Sequence, residues 1–375
     1  MNHQFYYEDE TVRRICGLER IIIYGAGTMG RALKLCLESN VYGKKVDYFV
    51  VMNEEDNPHE IDGCPVIGID YAVKDKDATV IVALNENNLK TAEPVLRQHG
   101  FKNLIMLNAA GDSWSYIKGN YFLSEETEKY LPFIPISQSA DNPVSPDFLK
   151  IFIAKSIYDK ENNRTEALKP YEINIQVGAS LTDKTICEVR DNVGDNISSK
   201  NRQYCELTAL YWVWKNIDSE YIGLSHYRRR FDISDDEIKW IAKNKVDAVV
   251  TIPVINTRGI GEQYGLDHSS EDWRILKEEL HRFWPEYDES FDFVQRQIYF
   301  YPCNMFIMRK KMLNDYCEWL FPVLFSCESR IGTKDDIYQN RYAGFLAERL
   351  LSVFLYHNKD RYRVCVAKRE YLSGK

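Results

Sequence analysis

The segment 195–231 constrains the fold of this chain more than any other part of the sequence. Its first part, residues 195–216, carries aromatic side chains at helical spacing, which predicts a helix with its aromatic face in a core. The apolar run Tyr221–Leu224 follows and predicts a buried strand. That strand leads directly into the cationic sequence His226-Tyr227-Arg228-Arg229-Arg230. The alternation of helix and short buried strand indicates an α/β fold.

The cationic sequence at this strand end is a candidate anion site. Ligands of open α/β sheets bind at the carboxyl ends of strands, and planar guanidinium groups suit phosphate or carboxylate. A run of arginines is also a common surface feature whose ion pairs contribute little. The neighbourhood favours the anion site, because Glu206 lies on a mostly apolar helix and a buried carboxylate needs a partner. The arginine cluster is the expected partner.

A family resemblance rests on two long motifs and two shorter ones. The long motifs are D-N-I-S-x-K-N-x-x-Y-x-E-L-T-x-L-Y-W-x-W-K-N and Y-I-G-L-x-H-Y-R-R, and the shorter ones lie at Cys303–Met308 and Arg341–Leu350. Together they resemble a bacterial glycosyltransferase-like family of capsule and exopolysaccharide clusters, long catalogued as a domain of unknown function. The resemblance runs from about Leu149 to the C-terminus. It implies a GT-A-like mixed-sheet α/β domain that binds a nucleotide-sugar donor.

The resemblance also implies a set of site residues. The catalytic candidates are Asp195, Glu206, His226 and Glu348. The donor-binding candidates are Lys155, Asn196, Asn201, His226, Arg228, Arg229 and Asn304. We expect the His226/Arg228/Arg229 cluster to stabilise the leaving diphosphate and one carboxylate to act as base. Two alternatives stay open, in which Asn304 is a satisfied core amide and Glu348 forms a structural ion pair with Arg349.

A metal site is not expected at the strand end. GT-A enzymes usually carry Asp-x-Asp there, whereas this chain reads Ser225-His226-Tyr227-Arg228. Divalent hard cations need oxygen ligands, and arginines can instead neutralise a diphosphate by bidentate hydrogen bonds. The Asp-x-Asp of this chain, Asp75-Lys76-Asp77, lies far upstream in a polar turn. We therefore predict no required cofactor, with Asp335-Asp336 as the alternative source of metal ligands.

The N-terminal part of the chain has a glycine-rich loop between a strand and a helix. The strand Ile21–Tyr24 precedes Gly25-Ala26-Gly27-Thr28-Met29-Gly30, and a helix is predicted over 31–38. Backbone amides at such a helix start can bind phosphate. Further predicted elements are strands at Val46–Val51 and Thr79–Leu84 and a helix at Leu89–Gln98. The pattern predicts a Rossmann-like parallel sheet.

The glycine loop does not complete an NAD(P) site. That fingerprint requires an acidic residue at the end of the second strand, where this chain has Asn53 and places Glu54 to Asp56 late. NAD(P) is therefore not expected. With Asp62–Gly68, the region resembles the N-terminal domain of sugar O-acyltransferases and other capsule enzymes. That resemblance implies either a nucleotide or nucleotide-sugar pocket, with Gly25, Gly27 and Gly30 as candidate residues, or a structural module.

Length and proline content predict the domain organisation. A chain of 375 residues exceeds one typical core. The predicted domains are a Rossmann-like domain at 1–118 and a GT-A-like domain at 148–375. The connector between them, 119–147, contains Pro132, Pro135, Pro143 and Pro146, which suits an extended segment.

Charge and cysteine usage predict the compartment and exclude some partners. The net charge of −8 argues against a general nucleic-acid binder. The nine cysteines form no Cys-x-x-Cys and suit reduced cytoplasmic thiols. The acidic start MNHQFYYEDE is not a signal peptide, and no apolar run reaches the length of about 20 residues that spans a bilayer. We expect a cytoplasmic protein with at most peripheral contact at the inner face of the plasma membrane.

The sequence thus predicts a glycosyltransferase of capsule or exopolysaccharide synthesis. Its predicted partners are a nucleotide-sugar donor and a saccharide or polyprenyl-linked acceptor. Two alternatives from other classes remain at this point. One is an NAD(P)-dependent oxidoreductase that uses the N-terminal domain, and the other is a non-catalytic protein that binds nucleotide-sugars.

Overall fold

The computed structural model describes residues 5–124, 134–136, 148–159 and 167–372. The chain divides into two compact units, Met1–Tyr130 with Ile255–Thr257 and Leu131–Val254 with Arg258–Lys375. Most of the predicted connector 119–147 lies outside the described residues. Its first residues belong to a helix that ends at Leu123. The predicted domain boundaries stay predictions.

The described residues of the first unit form six strands and five α-helices. The strands are β1 (Ile21–Tyr24), β2 (Val46–Val51), β3 (Glu60–Ile61), β4 (Cys64–Gly68), β5 (Val80–Leu84) and β6 (Leu104–Asn108). The helices are α1 (Glu10–Cys16), α2 (Thr28–Leu37), α3 (Ile69–Ala72), α4 (Glu86–Gln98) and α5 (Asp112–Leu123). The strands form one sheet in the order β3-β4-β2-β1-β5-β6. All neighbours pair in parallel except β3 with β4.

Apolar runs account for the strands of this unit. Every residue of β1 is buried, as expected for a strand of a parallel sheet that is covered on both faces. Both predicted helices begin earlier than the apolar pattern indicates. Helix α2 begins inside the glycine loop at Thr28, and α4 begins at Glu86 because the side chain of Asn85 accepts a hydrogen bond from the backbone of Asn88.

The other strands and helices of the described chain lie in the second unit, apart from Ile255 at the end of one short strand. The strands are β7 (Leu149–Lys155), β8 (Glu172–Gln176), β9 (Val189–Arg190), β10 (Tyr221–His226), β11 (Arg229–Asp232), β12 (Ala248–Thr251), β13 (Val254–Ile255), β14 (Tyr299–Phe300), β15 (Phe306–Arg309) and β16 (Val364–Tyr371). The helices are α6 (Asn201–Tyr204), α7 (Leu207–Asn216), α8 (Asp235–Lys243), α9 (Ile260–Asp267), α10 (Ser270–Phe283), α11 (Asp288–Val294), α12 (Lys310–Ile331) and α13 (Tyr342–His357).

An eight-stranded mixed sheet forms the centre of this unit. Its order is β11-β16-β12-β15-β10-β7-β8-β9. Strand β10 lies inside the sheet, parallel to β7 and antiparallel to β15. A Cβ atom on Gly223 would lie 3.0 Å from a carbon of Ile151 and 3.1 Å from one of Ile307, so glycine allows both neighbours to pack closely. The predicted α/β fold class is confirmed for the described chain.

The aromatic helix predicted within 195–216 is broken rather than continuous. A short 3-10 helix at Ser198–Lys200 precedes α6, and Cys205 separates α6 from α7 with a φ of 51°. A non-glycine residue in this left-handed region interrupts helical hydrogen bonding. None of the helices in the described part of the chain is long and apolar enough to cross a membrane.

Candidate active site

Three chain segments meet at one edge of the mixed sheet. Strands β7 and β10 run in parallel with His226 opposite Ala154, so both strands end at this edge. Strand β15 runs the other way, and its first residue Phe306 lies opposite Leu224, so β15 begins there. The loops after β7 and β10 and the turn before β15 therefore lie side by side. The carboxyl ends of parallel strands are where ligands of α/β sheets bind.

The loop after β10 carries the cationic part of the site. A guanidinium nitrogen of Arg229 lies 3.5 Å from Nδ1 of His226. The backbone N–H of Arg228 donates to the same Nδ1 over 3.4 Å. The Arg228 side chain is exposed, whereas His226 and Arg229 are partly buried. Arg341, which lies just before α13, adds a third guanidinium close enough to influence His226.

His226 is a neutral group in this setting. Burial lowers its pKa to about 3, and the charges of Arg229, Arg228 and Arg341 act in the same direction. At neutral pH the ring therefore carries no charge, and Nδ1 accepts the hydrogen bond from Arg228. Its Nε2–H is a neutral donor for a ligand oxygen, and its role in donor binding stays a prediction.

Arg230, the last arginine of the run, has a structural role. Its guanidinium donates to both carboxylate oxygens of Glu172, over 2.8 and 2.7 Å. Both side chains are buried. Successive residues of a strand point to opposite faces of the sheet, and Arg229 and Arg230 are neighbours in β11. Arg230 therefore points to the face that contains Glu172, while Arg229 points to the opposite face, towards His226.

Two carboxylates predicted from the sequence meet at the turn before β15. The side-chain amide of Asn304 donates to Oε1 of Glu206 over 2.7 Å. The backbone N–H of Cys303 donates to Oε1 of Glu348 over 2.6 Å, and Arg349 donates to the other oxygen of Glu348 over 2.7 Å. The charge of Glu348 is close enough to act on Glu206. The structure therefore brings Glu206, Asn304 and Glu348 together.

Glu206 has the properties of a proton acceptor. Burial raises its pKa, the hydrogen bond from Asn304 opposes that shift, and the charge of Glu348 adds to it. The expectation that Glu206 pairs with the arginine run is corrected, because its hydrogen-bond partner is Asn304 and the guanidinium that influences it is that of Arg341. Bases with a raised pKa are effective near neutral pH.

Backbone strain is concentrated around these groups. Three of the five non-glycine residues with positive φ in the described chain are Cys205, Cys303 and Asn304, with φ of 51°, 69° and 49°. Each such residue costs about 1–3 kcal/mol and persists only where its surroundings hold it. Arg341 supplies one such restraint, because its Nε–H donates to Sγ of Cys205 over 3.1 Å. Within the described residues, Oδ1 of Asn304 is buried without a hydrogen-bond partner.

Strand β7 ends at Lys155, and the loop after it contributes a residue that the sequence did not indicate. Oδ2 of Asp159 accepts the backbone N–H of Ser156 over 2.7 Å. Burial raises the pKa of Asp159, while that hydrogen bond and the charges of Arg228, Lys155 and Arg341 lower it. Asp159 is therefore surrounded by the cations of the site. Asp159 lies outside all the family motifs quoted above, so the sequence carries no signal for it. Arg341 is the first residue of the motif Arg341–Leu350, and that motif could have identified it as a candidate.

The other predicted residues lie just before α6 and at its first residue. Asp195 is exposed and accepts a hydrogen bond from the Tyr211 hydroxyl over 3.2 Å. The Asn196 side chain bonds to the backbone of Gly194 and Ser198. Asn201 donates to the carbonyl of Cys205 over 2.7 Å and so supports the strained turn. The ligand-binding and catalytic roles of Asp195, Asn196 and Asn201 stay predictions.

A buried carboxylate that the sequence did not single out holds the helix that bears Glu206. Asp191 is 0% exposed, and its two oxygens accept four hydrogen bonds. The donors are the backbone N–H groups of Gly178 (2.8 Å) and Ala179 (3.0 Å) and the hydroxyls of Ser198 (2.5 Å) and Thr208 (2.6 Å). Thr208 lies two residues after Glu206. The network therefore fixes the start of α7 to the loop after β8.

No cluster of metal-ligating side chains is present in the part of the chain that the structure describes. Asp335 and Asp336 are exposed, and Asp336 accepts the backbone N–H of Gln339 over 2.7 Å, as expected for a turn residue. Metal-independent catalysis stays a prediction.

Comparisons with known proteins place the chain in a family. A family model described as "Domain of unknown function (DUF4422)" matches residues 157–359. A solved structure titled "WbbM bifunctional glycosytransferase apo structure" is similar with a TM-score of 0.53 and 25% sequence identity. The similarity covers 60% of this chain but 45% of that chain, so this chain corresponds to less than half of that protein. No curated protein matches. Because the family model spans more than half of the 375 residues and most of the candidate active site, the chain belongs to the DUF4422 family.

Proposed function

We propose that the second unit is a glycosyltransferase, which moves a sugar from a nucleotide-sugar donor to a saccharide acceptor. The observation that carries the proposal is the meeting of arginines and carboxylates at one sheet edge. Arg228 lies in the turn after β10 and Arg229 begins β11, and Glu206 and Glu348 bond to the adjoining turn before β15. The likeness to a solved glycosyltransferase supports the same reaction class. We further propose a role in capsule or exopolysaccharide synthesis and a GT-A-like arrangement of the donor.

Arg228 and Arg229 bind the donor diphosphate in this proposal. Guanidinium groups form bidentate, charge-assisted hydrogen bonds with phosphate oxygens and remain charged at all physiological pH values. The exposed Arg228 side chain can turn towards a ligand. Lys155 lies on the neighbouring strand end and adds charge, and neutral His226 donates through Nε2. The developing charge of the leaving nucleoside diphosphate is stabilised by these fixed donors.

Glu206 is the base in this proposal, and Glu348 is a positioning residue. Both oxygens of Glu348 already accept hydrogen bonds, from Cys303 and from Arg349, so its carboxyl group is held in place. In Glu206 only one oxygen, Oε1, accepts from another side chain. The acceptor hydroxyl attacks the anomeric carbon, the bond from that carbon to the diphosphate oxygen breaks, and the hydroxyl proton passes to Glu206.

Aromatic rings beside Arg341 suit a saccharide acceptor. The rings of His268 and Phe345 stack with centroids 4.1 Å apart, and Tyr338 stacks on His268 at 5.8 Å. Tyr338 is 54% exposed, and the Arg341 guanidinium lies 5.5 Å from the Phe345 ring centre. An exposed aromatic ring offers an apolar face, on which the C–H face of a sugar ring can stack, and the polar atoms of Tyr and His can bond to the sugar hydroxyls. We propose that a saccharide or polyprenyl-linked acceptor binds along this shelf.

The test measures donor hydrolysis and transfer with UDP-, GDP- and CMP-sugars. Glu206→Gln is expected to lower turnover about 100-fold or more while donor binding persists, because general base catalysis contributes 10²–10⁴-fold. The matched control is Glu220→Gln, an exposed glutamate just before β10 whose side chain is not used in the proposal. Unchanged turnover in Glu206→Gln, or binding of no nucleotide-sugar to the second unit, would contradict the proposed function.

A further inference from the structure

The first unit contains a cavity that the proposed transferase reaction does not use. It measures about 460 Å³ and lies at the carboxyl ends of β1, β2 and β5. Its walls are Tyr24–Ala26, Val50–Asn53, Asp56, Asn57 and Leu84, with Asn88, Thr91, Ala92 and Val95 from α4. Strand order reverses at β1, since β2 lies on one side and β5 on the other. Ligands of parallel sheets bind at such a reversal, and cavities of 300–1,000 Å³ accommodate small molecules.

The three glycines of the loop are glycine for different structural reasons. Gly25 has a φ of +106°, and a Cβ atom on Gly30 would lie 1.9 Å from the Gly25 carbonyl oxygen. The fold itself therefore requires glycine at both positions. A Cβ atom on Gly27 would meet no described atom within 4 Å, and the φ of Gly27 is −80°. Packing within the chain does not explain Gly27, but the approach of a ligand to the backbone does.

The start of α2 next to Gly27 is suited to an anion. Helix α2 has ten residues, and no side chain caps its first backbone N–H groups. Those groups carry the positive end of the helix dipole. The Nε–H of Arg31 donates to the carbonyl of Ala26 over 3.0 Å, which holds a guanidinium beside the loop.

The hydroxyl of a largely buried tyrosine at the same cavity points independently to a ligand. Tyr24 is 7% exposed and lines the cavity. Among the described residues, its hydroxyl has no hydrogen-bond partner, and burial alone raises its pKa. Because the described chain supplies no partner, this hydroxyl is free to form a hydrogen bond with a ligand in the cavity. The Tyr24 hydroxyl remains protonated and is available as a donor.

We propose that the first unit binds a nucleoside diphosphate, with its phosphates at Gly25–Gly30 and its nucleoside in the cavity between β2 and α4. The aliphatic side chains of Val51, Met52 and Val95 suit the faces of a base. Asp56, which accepts a hydrogen bond from Asn53 over 2.7 Å, suits the ribose hydroxyls. The cavity walls end at Leu84 and include no residue of β6, so the space accommodates one nucleoside rather than two. This site is separate from the donor site proposed in the second unit.

Hydrogen–deuterium exchange on the full chain tests the proposal. UDP, ADP and inorganic pyrophosphate are the probes, each at millimolar concentration. Either nucleotide is expected to slow exchange in peptides covering 24–31 and 50–57. Gly27→Val is expected to abolish this protection, since its side chain occupies the phosphate position. Gly17→Ala is the control, because a Cβ atom there meets no atom closer than 3.5 Å and Gly17 does not line the cavity.

Tyr24→Phe is a second variant that keeps the fold, because the hydroxyl makes no bond to the described chain. Losing one hydrogen bond is expected to weaken nucleotide binding about 2- to 10-fold. Absence of protection at 24–31 with both nucleotides would overturn the proposal. Equal protection by pyrophosphate alone would overturn the assignment of a nucleoside. Peptides covering 225–231 report on the second unit separately, so failure here is distinguishable from failure of the proposed transferase.

Discussion

Replacing Asp191 by asparagine is expected to destabilise the second unit by about 3 kcal/mol. The carboxylate is fully buried and accepts two backbone N–H groups and two hydroxyls. Asparagine keeps one oxygen and places an NH₂ group at the other. That NH₂ group then faces the backbone N–H of either Gly178 or Ala179, and a backbone donor cannot turn away.

The magnitude follows from these four bonds. One backbone N–H loses its acceptor while buried, which costs about 1–3 kcal/mol. The hydroxyl that faces the NH₂ group can rotate and accept from it, so that bond is replaced at little cost. The two bonds that remain change from charged to neutral acceptors and each lose about 1 kcal/mol. Removing a buried charge offsets part of the loss.

Urea unfolding followed by tryptophan fluorescence measures this effect in the right unit, because every tryptophan except Trp114 lies in the second one. The matched control is Asp195→Asn, four residues further on, where an exposed carboxylate accepts one side-chain bond from Tyr211. That change is expected to alter the free energy of unfolding by less than about 0.5 kcal/mol. Equal losses in both variants, or a loss in Asp191→Asn below about 1 kcal/mol, would refute the reasoning.

Three further predictions concern the proposed reaction. Arg229→Lys keeps the charge but loses the guanidinium fork, so calorimetry is expected to show donor affinity reduced about tenfold; unchanged affinity would show that charge alone suffices. Because burial raises the pKa of Glu206, the acidic limb of kcat/KM is expected above the pH at which an ordinary glutamate titrates, with activity falling as pH falls through it. Glu206→Gln should remove this limb, and a limb that persists in the variant would identify another base. Turnover is expected to survive EDTA, because His226 and arginines occupy the strand end where carboxylates would hold a metal. Activity lost to EDTA and restored by manganese or magnesium would make Asp335 and Asp336 the first ligands to replace.

Patterns of apolar residues predicted much of the fold. The buried runs Ile21–Tyr24 and Val46–Val51 are β1 and β2, and Tyr221–Leu224 forms most of β10. Short apolar runs between turn residues have few alternatives to a strand in a parallel sheet. The position of His226 and Arg228 at a strand end followed from the same pattern.

Other parts of the site depend on distant contacts that one sequence does not encode locally. Asp191-Asn192 and Asp195-Asn196 are the same dipeptide in sequence. Only the fold distinguishes their aspartates, because it buries Asp191 and leaves Asp195 exposed. The break at Cys205 interrupts a segment whose helical pattern continues through it. Arg229 and Arg230 point to opposite faces of the sheet because both lie in β11. A run of identical residues does not show whether it forms a strand or a turn, so the sequence alone could not separate their roles.

The strained residues at the site mark a place where the fold overrides local backbone preference. Cys205, Cys303 and Asn304 each prefer backbone conformations other than the ones they adopt, so local preference and global fold disagree at three places in one small region. In energy-landscape terms this region is frustrated, while the buried strands around it are consistent at both levels. Asn304 is 1% exposed and donates to Glu206 and to the carbonyl of Gly344, so the buried surroundings hold the unfavourable conformation in place. The same contacts that maintain this local conflict also fix the direction of the Glu206 carboxyl group.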